Sequence, residues 1–257
     1  VTMIASLVVG CGAPAAADTT TTTEETATEE AATEEADTEE VAAEAVSAEN
    51  IKVGFVHVSD PSDMGYTYNH DLGTKAMQEA LVLTDDQIIN KFNVPEGAEC
   101  DTALRELVDA GCNIIFATSF GFEDYVKEVA AEYPEIQFCH ATGYQASTSG
   151  LSNMHNYFAS IYEARYLAGI AAGLKTETNK LGYVAAFPFA EVISGYTAFY
   201  NGAKSVNPDV TMEIMYTNSW NDPTVEAQVA KALIEKGCDV VSQHSDSTAP
   251  ATTAEDN

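Results

Sequence analysis

Basic residues are scarce in this sequence of 257 residues. Only 11 Lys and Arg stand against 40 Asp and Glu, so the formal net charge is −29, and residues 1–50 contain no basic residue at all. A surface this acidic repels phosphate groups, and we therefore expect no nucleic-acid partner. The sequence also lacks an apolar run of the roughly 20 residues that a membrane-spanning helix needs.

The motifs of common catalytic and cofactor sites are absent as well. The sequence contains no GxSxG, P-loop, GxGxxG or HExxH pattern, and its five histidines are dispersed. The four cysteines beyond Cys11 form no CxxC pair, which favours buried free thiols over disulfides or a metal site. His244 and Asp246 could form an acid–base pair, but their i,i+2 spacing is very common in loops and is weak evidence for catalysis. We therefore expect no enzyme, no catalytic residue, no cofactor and no metal site.

The N-terminus resembles a bacterial export signal. Residues 3–12, MIASLVVGCG, form an apolar run that is too short to cross a bilayer and fits the hydrophobic core of a signal peptide. The stretch VVGC at 8–11 resembles the lipobox of lipoproteins, in which the cysteine becomes the lipid-modified N-terminus, although no basic residue precedes the run. We interpret residues 1–11 as a signal-peptide remnant with lipidation at Cys11. This interpretation places the protein outside the cytoplasm, anchored to the bacterial cell membrane.

Residues 12–49 are dominated by Ala, Thr and Glu and contain no aromatic residue. A segment with this composition and strong like charge cannot bury enough apolar surface to offset the entropy cost of ordering. Repulsion between acids at i,i+4 also opposes a stable helix in its EEAATEEADTEE core. The sequence therefore predicts a disordered acidic tether between the membrane anchor and a folded body.

From residue 50 onward, strand-like and helix-like patterns alternate. Short β-rich runs are followed by polar loops and apolar stripes of helical period. This alternation predicts parallel sheets with right-handed crossovers. A Ser/Gly-rich link at 141–153, before a helix predicted at 158–175, divides the body into lobes at residues 50–157 and 158–257. The predicted strands are 51–58, 87–94, 112–118, 136–142, 180–187, 210–217 and 238–244, with further helices near 190–205 and 223–236.

One helix-to-strand pattern occurs in both predicted lobes. LVDAGCNIIFATSFGF at 107–122 and LIEKGCDVVSQHSDS at 233–247 share an acid, a Gly-Cys step and two β-branched residues, and then diverge. Ligands of parallel sheets bind at the carboxyl ends of the strands, which is where the two segments differ. The sequence therefore predicts an α/β fold of two Rossmann-like lobes, with parallel sheets and a ligand cleft between the lobes.

The loops after the predicted strands combine aromatic rings with carboxylates and amides, and none of them contains Lys or Arg. Aromatic faces from opposite lobes can stack on a flat ligand, while carboxylates accept hydrogen bonds from its edge. A phosphate or carboxylate ligand would lack its usual counter-charge. We therefore predict a neutral, polar, ring-shaped ligand. The candidate ligand-binding residues are Asp60, Tyr66, Tyr68, Asp71, Phe120, Phe187, Trp220 and Asp246.

Several long motifs resemble the basic membrane protein family. They are SDMGYTYNHDLGTKA, FATSFGFEDYVKEVAAEYPEIQFCHATGY, YFASIYEARYLAGIAAG, KLGYVAAFPFAEV, NSWNDP and QHSDSTAP, and the resemblance covers essentially all of residues 50–257. It implies a type I periplasmic-binding-protein fold and a lipoprotein that delivers its ligand to the permease and ATPase subunits of an ABC transporter. It also implies a purine nucleobase or nucleoside as the ligand.

The resemblance assigns roles to particular side chains. Tyr66 stands where related sequences usually have Trp, in a position for stacking on the ligand. Phe120, Phe187, Trp220 and Asp246 stand in the other loops that are expected to line the cleft.

Other outcomes stay open at this point. Members of the family continue beyond QHSDSTAP, so we expect the second lobe to be incomplete at Asn257. A cleft with aromatic rings and aspartates also suits a sugar. The same fold could serve as a surface sensor without transport.

Overall fold

The computed structural model describes residues 46–257, and the structural statements below concern that part of the chain. The signal-peptide remnant, the lipidation site Cys11 and nearly all of the acidic tether lie outside the described residues. Between residues 46 and 257, no helix combines the length and apolar character that crossing a membrane requires.

Five parallel strands form the first sheet, in the order β2-β1-β3-β4-β5. All four residues of the β1 segment VGFV are buried, and this strand pairs with β2 on one side and β3 on the other. Ile115 and Phe138 from this sheet pack into one core with Leu104, Leu107 and Val126. The strands are β1 (Val53–Val56), β2 (Ile88–Lys91), β3 (Ile114–Ala117), β4 (Gln137–Ala141) and β5 (Met154–Tyr157).

Three parallel strands form the second sheet, in the order β7-β6-β8. β6 is the central strand, and its Tyr183 is fully buried in a core with Val192, Phe199 and Ala203. The prediction of an α/β fold with parallel strands in two sets is confirmed. The strands are β6 (Lys180–Ala185), β7 (Thr211–Tyr216) and β8 (Val240–Gln243).

Helices connect the strands in the alternation that the sequence predicts. Helix α7 begins where its local sequence indicates, because Asp222 accepts hydrogen bonds from the backbone N–H groups of Thr224 and Val225, and Pro223 occupies the first turn. We call β1–β5 with α1–α4 the first lobe, and β6–β8 with α5–α8 the second lobe. The helices are α1 (Tyr66–Leu81), α2 (Ala98–Asp109), α3 (Glu123–Glu132), α4 (Ala146–Ser149), α5 (Ile161–Lys175), α6 (Ala190–Val206), α7 (Pro223–Glu235) and α8 (Ala249–Glu255).

The link predicted at 141–153 is more ordered than the sequence indicates. It contains α4, and the next residues form β5, an edge strand that pairs in parallel with β4. The β5 segment MHNY has no β-branched residue, so it gives no strand signal. Tertiary contacts fix this segment instead, because the Asn153 side chain donates hydrogen bonds to the carbonyl oxygens of Ala130, Tyr133 and Ile136.

Helices α5 and α6 pack with their backbones in contact. A Cβ added at Gly169 would lie 1.9 Å from the carbonyl oxygen of Phe199, and one added at Gly202 would lie 2.0 Å from that of Tyr166. Because both obstacles are backbone atoms, no side-chain rotation could relieve the clash, and glycine is required at both positions. This contact fixes the position of α5, which contributes to the site described below.

We expect Gly169→Ala to destabilise the protein by about 1–3 kcal/mol or more, because the new methyl group would collide with backbone. The matched control is Gly73→Ala in α1, where nothing lies within 4 Å of an added Cβ. Alanine in that helix should stabilise it by about 0.5–1 kcal/mol. Urea titration gives the free energy of unfolding of both variants, and an equal change in the two would contradict the packing described for α5 and α6.

Candidate functional site

A cavity of about 930 Å³ is lined by residues of both lobes, at the carboxyl ends of their strands. Its wall is formed by α1, the loops after β1, β3, β4, β5, β7 and β8, and parts of α5, α6 and α8. Parallel sheets bind ligands at this edge, and small-molecule sites have volumes of about 300–1,000 Å³. This cavity is therefore the candidate ligand site.

Four of the predicted ligand-binding residues line the cavity, namely Tyr66, Phe120, Trp220 and Asp246. The first two follow strands of the first lobe, and the last two follow strands of the second lobe. The two lobes touch beside them, since a Cβ added at Gly65 would lie 2.2 Å from the carbonyl oxygen of Asp246. The structure thus brings together side chains that are 180 positions apart in sequence (246 − 66).

Tyr68 and Asp71 do not line this cavity, because α1 begins at Tyr66 and the chain is already helical there. In a helix, residues at i, i+3, i+4 and i+7 share one face. Tyr66 faces the cavity together with residues 69, 70, 73, 74 and 77. Tyr68 and Asp71 fall on other faces, and Asp71 pairs there with Lys75.

Asp60 and Phe187 also lie outside the cavity wall. Asp60 caps a short 3₁₀ helix by accepting a hydrogen bond from the Ser62 N–H at 2.9 Å, and it accepts another from Asn93 Nδ2 at 3.1 Å. The ring of Phe187 packs against Trp220 with 5.0 Å between the ring centroids. Phe187 therefore supports a cavity residue without facing the cavity.

An aromatic cluster joins the two lobes beside the cavity. Phe120 of the first lobe stacks on Phe189 of the second, with ring centroids 4.6 Å apart and an interplanar angle of 23°. Phe189 in turn stacks on Phe187 at 5.2 Å and contacts Trp220 at 6.0 Å. Because Phe120 and Trp220 also line the cavity, the cluster presents aromatic surface to a ligand.

Six side chains in the cavity wall carry a buried polar atom that has no hydrogen-bond partner among the described residues. Elsewhere between residues 46 and 257, only Thr67 shares this property. Burying a polar group without a partner is costly, so these atoms are concentrated where a polar ligand could pair with them. They are Thr142 Oγ1, Arg165 Nε, Glu191 Oε2, Trp220 Nε1, His244 Nδ1 and Ser245 Oγ.

Two carboxyl groups in the wall resist ionisation. Burial, and next the charges of Asp63 and Glu226, raise the pKa of Asp246 well above its ordinary value. Burial also raises the pKa of Glu191 to about 7, with a further contribution from Glu96. A negatively charged ligand would oppose ionisation of these groups further, whereas a ligand with N–H or O–H donors would favour their ionised form.

Arg165 is the single Lys or Arg among the residues that line the cavity in the described part of the chain. Its Nη1 donates to Tyr183 Oη and to the carbonyl oxygen of Gln243, both at 2.7 Å. A Cβ added at Gly195 of α6 would lie 3.1 Å from Arg165 Nε and 3.4 Å from His244 Nδ1, so glycine leaves room for both nitrogens. Arg165 was not predicted because it lies within α5 rather than in a strand-end loop. The sequence of the helix does not single it out, because Glu163 and Lys175 of α5 are charged as well.

His244 and Glu191 complete the polar wall. Burial, and next the positive charge of Arg165, lower the pKa of His244 to about 3, so its ring is neutral at neutral pH. Glu191 lies in the first turn of α6, directly after the FPF segment at 187–189. Neither residue was among the predicted ligand-binding residues. His244 lies in the predicted strand-end loop that carries Asp246, and Glu191 follows the aromatic loop residues 187–189.

The loop that carries Asp246 is fixed by hydrogen bonds on both of its sides. The buried carboxylate of Glu226 accepts hydrogen bonds from Ser247 N and Ser247 Oγ. The Gln243 side chain donates to the carbonyl oxygens of Ser245 and Ser247, and the Asp246 N–H donates to the carbonyl oxygen of Trp220 at 2.8 Å. Asp246 is therefore held in place before any ligand enters.

The described residues give no sign of a metal centre or disulfide. Between residues 46 and 257, no group of three or more His, Cys, Asp and Glu side chains could hold a metal ion. The cysteines of this part are free, with Cys100, Cys112 and Cys238 buried and Cys139 partly buried.

We expect the stability gained by Glu191→Gln to depend on pH. The raised pKa means that the folded protein binds this proton more tightly than the unfolded chain, so ionised Glu191 destabilises the fold progressively as pH rises from about 4.5 to about 7. The neutral amide does not ionise. The variant should therefore gain about 2 kcal/mol over the natural protein between pH 5 and pH 8. Thermal melting of both proteins at these two pH values measures this, and a pH-independent difference would contradict the assignment.

A two-lobed α/β fold with a cavity at the strand ends is typical of solute-binding proteins, and solved structures agree. An ABC transporter solute-binding protein from Aeropyrum pernix K1 matches with a TM-score of 0.65 and 20% identity, covering 79% of this chain and 58% of that one. Another, from Conexibacter woesei DSM 14684, matches with a TM-score of 0.62 and 18% identity, covering 79% and 67%. At these identities the likeness concerns the fold.

Residues 50–256 match the family of PnrA-like ABC transporter substrate-binding proteins, called Bmp, and the chain belongs to this family. The chain is 41% identical over 208 residues to a purine-binding protein of Brucella abortus (strain 2308), covering 80% of this chain and 57% of that protein. It is 37% identical over 206 residues to a protein of Haloferax volcanii named as a candidate ABC transporter glucose-binding protein, covering 80% and 51%. The chain thus spans about half the length of these relatives. The predicted family is confirmed.

Proposed function

We propose that the protein is the substrate-binding component of an ABC importer and that it takes a purine nucleobase or nucleoside in the cavity between its lobes. The observation that carries this proposal is the wall itself, in which an aromatic cluster lies beside six unpartnered polar atoms. A flat heterocycle with polar edges satisfies both features. The purine-binding relative at 41% identity supports the same ligand class.

Four residues would contact the ligand directly. Tyr66, Phe120 and Trp220 would pack against the faces of the base, and Asp246 would accept hydrogen bonds from its N–H or hydroxyl groups. Each stacked aromatic contact contributes roughly 1–3 kcal/mol. Permease and ATPase subunits would receive the ligand when the lobes open, as the family implies. No step of this function makes or breaks a covalent bond, so we propose no enzyme activity.

A sugar is the second candidate ligand. The Haloferax relative named for glucose binding is nearly as similar to this chain as the purine-binding one, at 37% against 41% identity. Aromatic rings beside carboxylates also suit a pyranose ring. The aromatic cluster is built from four rings, of which two line the cavity, and this favours a planar ligand over a sugar.

The proposal is tested by titrating the purified protein with adenine, guanine, hypoxanthine, their ribonucleosides and glucose. Trp220 is the single Trp of the chain and lines the cavity, so its fluorescence reports binding, and calorimetry gives the affinity. We expect a saturable micromolar or tighter signal for at least one purine and none for glucose. Binding of glucose without any purine would overturn the purine assignment and leave the family intact.

Adenosine monophosphate serves as the charge control in the same titration. The wall holds Glu191 and Asp246 against a single guanidinium, Arg165, that already donates to two protein oxygens. A phosphate brought into this surrounding would lack sufficient counter-charge. We therefore expect the nucleotide to bind at least about tenfold more weakly than adenosine. Equal affinities would contradict this account of the wall's charge.

We further propose that a lipid on Cys11 holds the protein at the outer face of a bacterial membrane, as the lipobox-like VVGC segment indicates. Cys11→Ser should move the protein, expressed from the full gene in bacteria, from the membrane fraction to the soluble extracytoplasmic fraction. The control is Cys139→Ser, which changes a free thiol of the folded body and should leave the protein with the membrane. Identical fractionation of the two variants would rule the anchor out.

A further inference from the structure

Glu191 is a carboxyl group in the wall of the ligand cavity, and one of its oxygens is buried without a well-formed hydrogen bond. It lies in the first turn of α6, in the cavity wall, two residues after Phe189 of the aromatic cluster. Its Oε2 is buried and has no described donor in good hydrogen-bond geometry, while the Thr142 hydroxyl is near enough to oppose the effect of burial on the pKa of Glu191. A ligand that stacks beside the cluster would therefore bring one edge towards this oxygen.

Asp246 is a second carboxylate of the same wall, and its side chain makes no hydrogen bond within the described part of the chain. Both acids act on Tyr66: burial, the neighbouring Tyr157 and then the charges of Asp246 and Glu191 raise the pKa of the Tyr66 hydroxyl. The two carboxyl groups and Tyr66 all line the cavity. The two carboxyl groups come from different elements, α6 and the loop after β8.

Among the unpartnered buried atoms of the wall, Glu191 Oε2 is the one carboxyl oxygen in the described part of the chain. Arg165 is the one basic side chain of the described wall, and its Nη1 is already committed to Tyr183 and Gln243. When Glu191 is ionised, its buried oxygen therefore needs an N–H or O–H donor from the ligand. The unpartnered Trp220 Nε1 and Arg165 Nε can in turn donate to acceptors on the ligand.

Given the proposed purine-binding function, we propose that Glu191 selects for amino-substituted purines, with its Oε2 accepting an N–H of the exocyclic amine. A neutral exocyclic amine offers two N–H donors, and its ring neighbours are acceptors. An oxo group at the same position offers only lone pairs, which would face those of the carboxylate. A site built to pair with a substrate N–H discriminates strongly against an analogue that lacks it, because a buried polar group is then left unpaired.

The test compares the natural protein with Glu191→Met, which has a similar length and no acceptor. Calorimetric titrations use adenine, 2-aminopurine, hypoxanthine and unsubstituted purine. The natural protein should bind one of the aminopurines at least about tenfold more tightly than hypoxanthine and purine. At pH 8, above the pKa of Glu191, Glu191→Met should weaken binding of that aminopurine by about 10- to 100-fold, since a hydrogen bond to a charged group is lost. The affinity for unsubstituted purine should change by less than about threefold.

Two further variants make the result interpretable. Glu191→Gln keeps a carbonyl acceptor but loses the charge, so its aminopurine affinity should fall between those of the other two proteins. It also decides the question if Glu191→Met does not fold. Glu128→Met makes the same exchange on the exposed side of α3, away from the cavity, and should leave every affinity unchanged.

The outcomes separate this inference from the function on which it rests. Tighter binding of hypoxanthine than of either aminopurine would overturn the role of Glu191 while purine binding stands. An equal loss of affinity for all four ligands in the Glu191 variants would also overturn it, because the residue would then act only through general packing. If the natural protein bound none of the purines, the proposed function would be overturned, and the proposed selectivity with it.

Discussion

A buried glutamate near the start of a helix fixes the strand-end loop in each lobe, and the wall of the cavity depends on this interaction. Glu123 of α3 accepts hydrogen bonds from the backbone N–H groups of Tyr144 and Gln145, in the loop after β4. Glu226 of α7 accepts from the N–H and hydroxyl of Ser247, in the loop after β8. Glu123 is 4% exposed and Glu226 is 0% exposed, and burying a carboxyl group without hydrogen-bond partners would be costly. The positive ends of the helices add to the stabilisation of both carboxylates.

The hydrogen bonds to Glu123 and Glu226 determine which polar atoms of the two loops remain available to a ligand. Thr142 and Asp246 belong to the two anchored loops, and both face the cavity. Because the loop backbones are already paired with protein, the side chains at their tips cannot relax towards other partners. Folding therefore already removes these polar atoms from water, at a cost in free energy. A ligand that forms hydrogen bonds with them gains binding free energy without paying this cost again.

The sequence predicts the parts of this structure that follow from periodicity. Seven of the eight strands and the two sets of parallel strands follow from alternating β-rich and helical patterns, whereas β5 does not, because MHNY has no β-branched residue and is held by pairing with β4. Tyr66, Phe120, Trp220 and Asp246 were predicted because residues after parallel strands converge at one edge. No chain-local rule could predict this convergence for a residue inside a helix, which is why Arg165 and Glu191 were missed.

Helix phase explains the remaining differences between prediction and structure. The segment after β1 contains four of the predicted residues, Asp60, Tyr66, Tyr68 and Asp71. In a flexible loop, each of them could reach the ligand equally well. The start of α1 at Tyr66 makes them different, because a helix turns each successive side chain by about 100° and presents only one stripe to the cavity. The composition of a loop therefore indicates the chemistry of a site, while the exact starting residue of the next helix determines which side chains take part.

Closure of the lobes places a further constraint on the first residues of α1. The lobes meet at Gly65 and Asp246, at Phe120 and Phe189, and through a hydrogen bond of 2.8 Å between Asn221 Nδ2 and Ser59 Oγ. Any side chain at position 65 would push away the backbone of Asp246, whose side chain lines the cavity. The absence of a side chain at 65 therefore sets the depth of the cavity as firmly as the residues that line it. Since the Asp246 loop is also anchored through Ser247, it cannot yield to such a push without breaking the buried hydrogen bonds to Glu226.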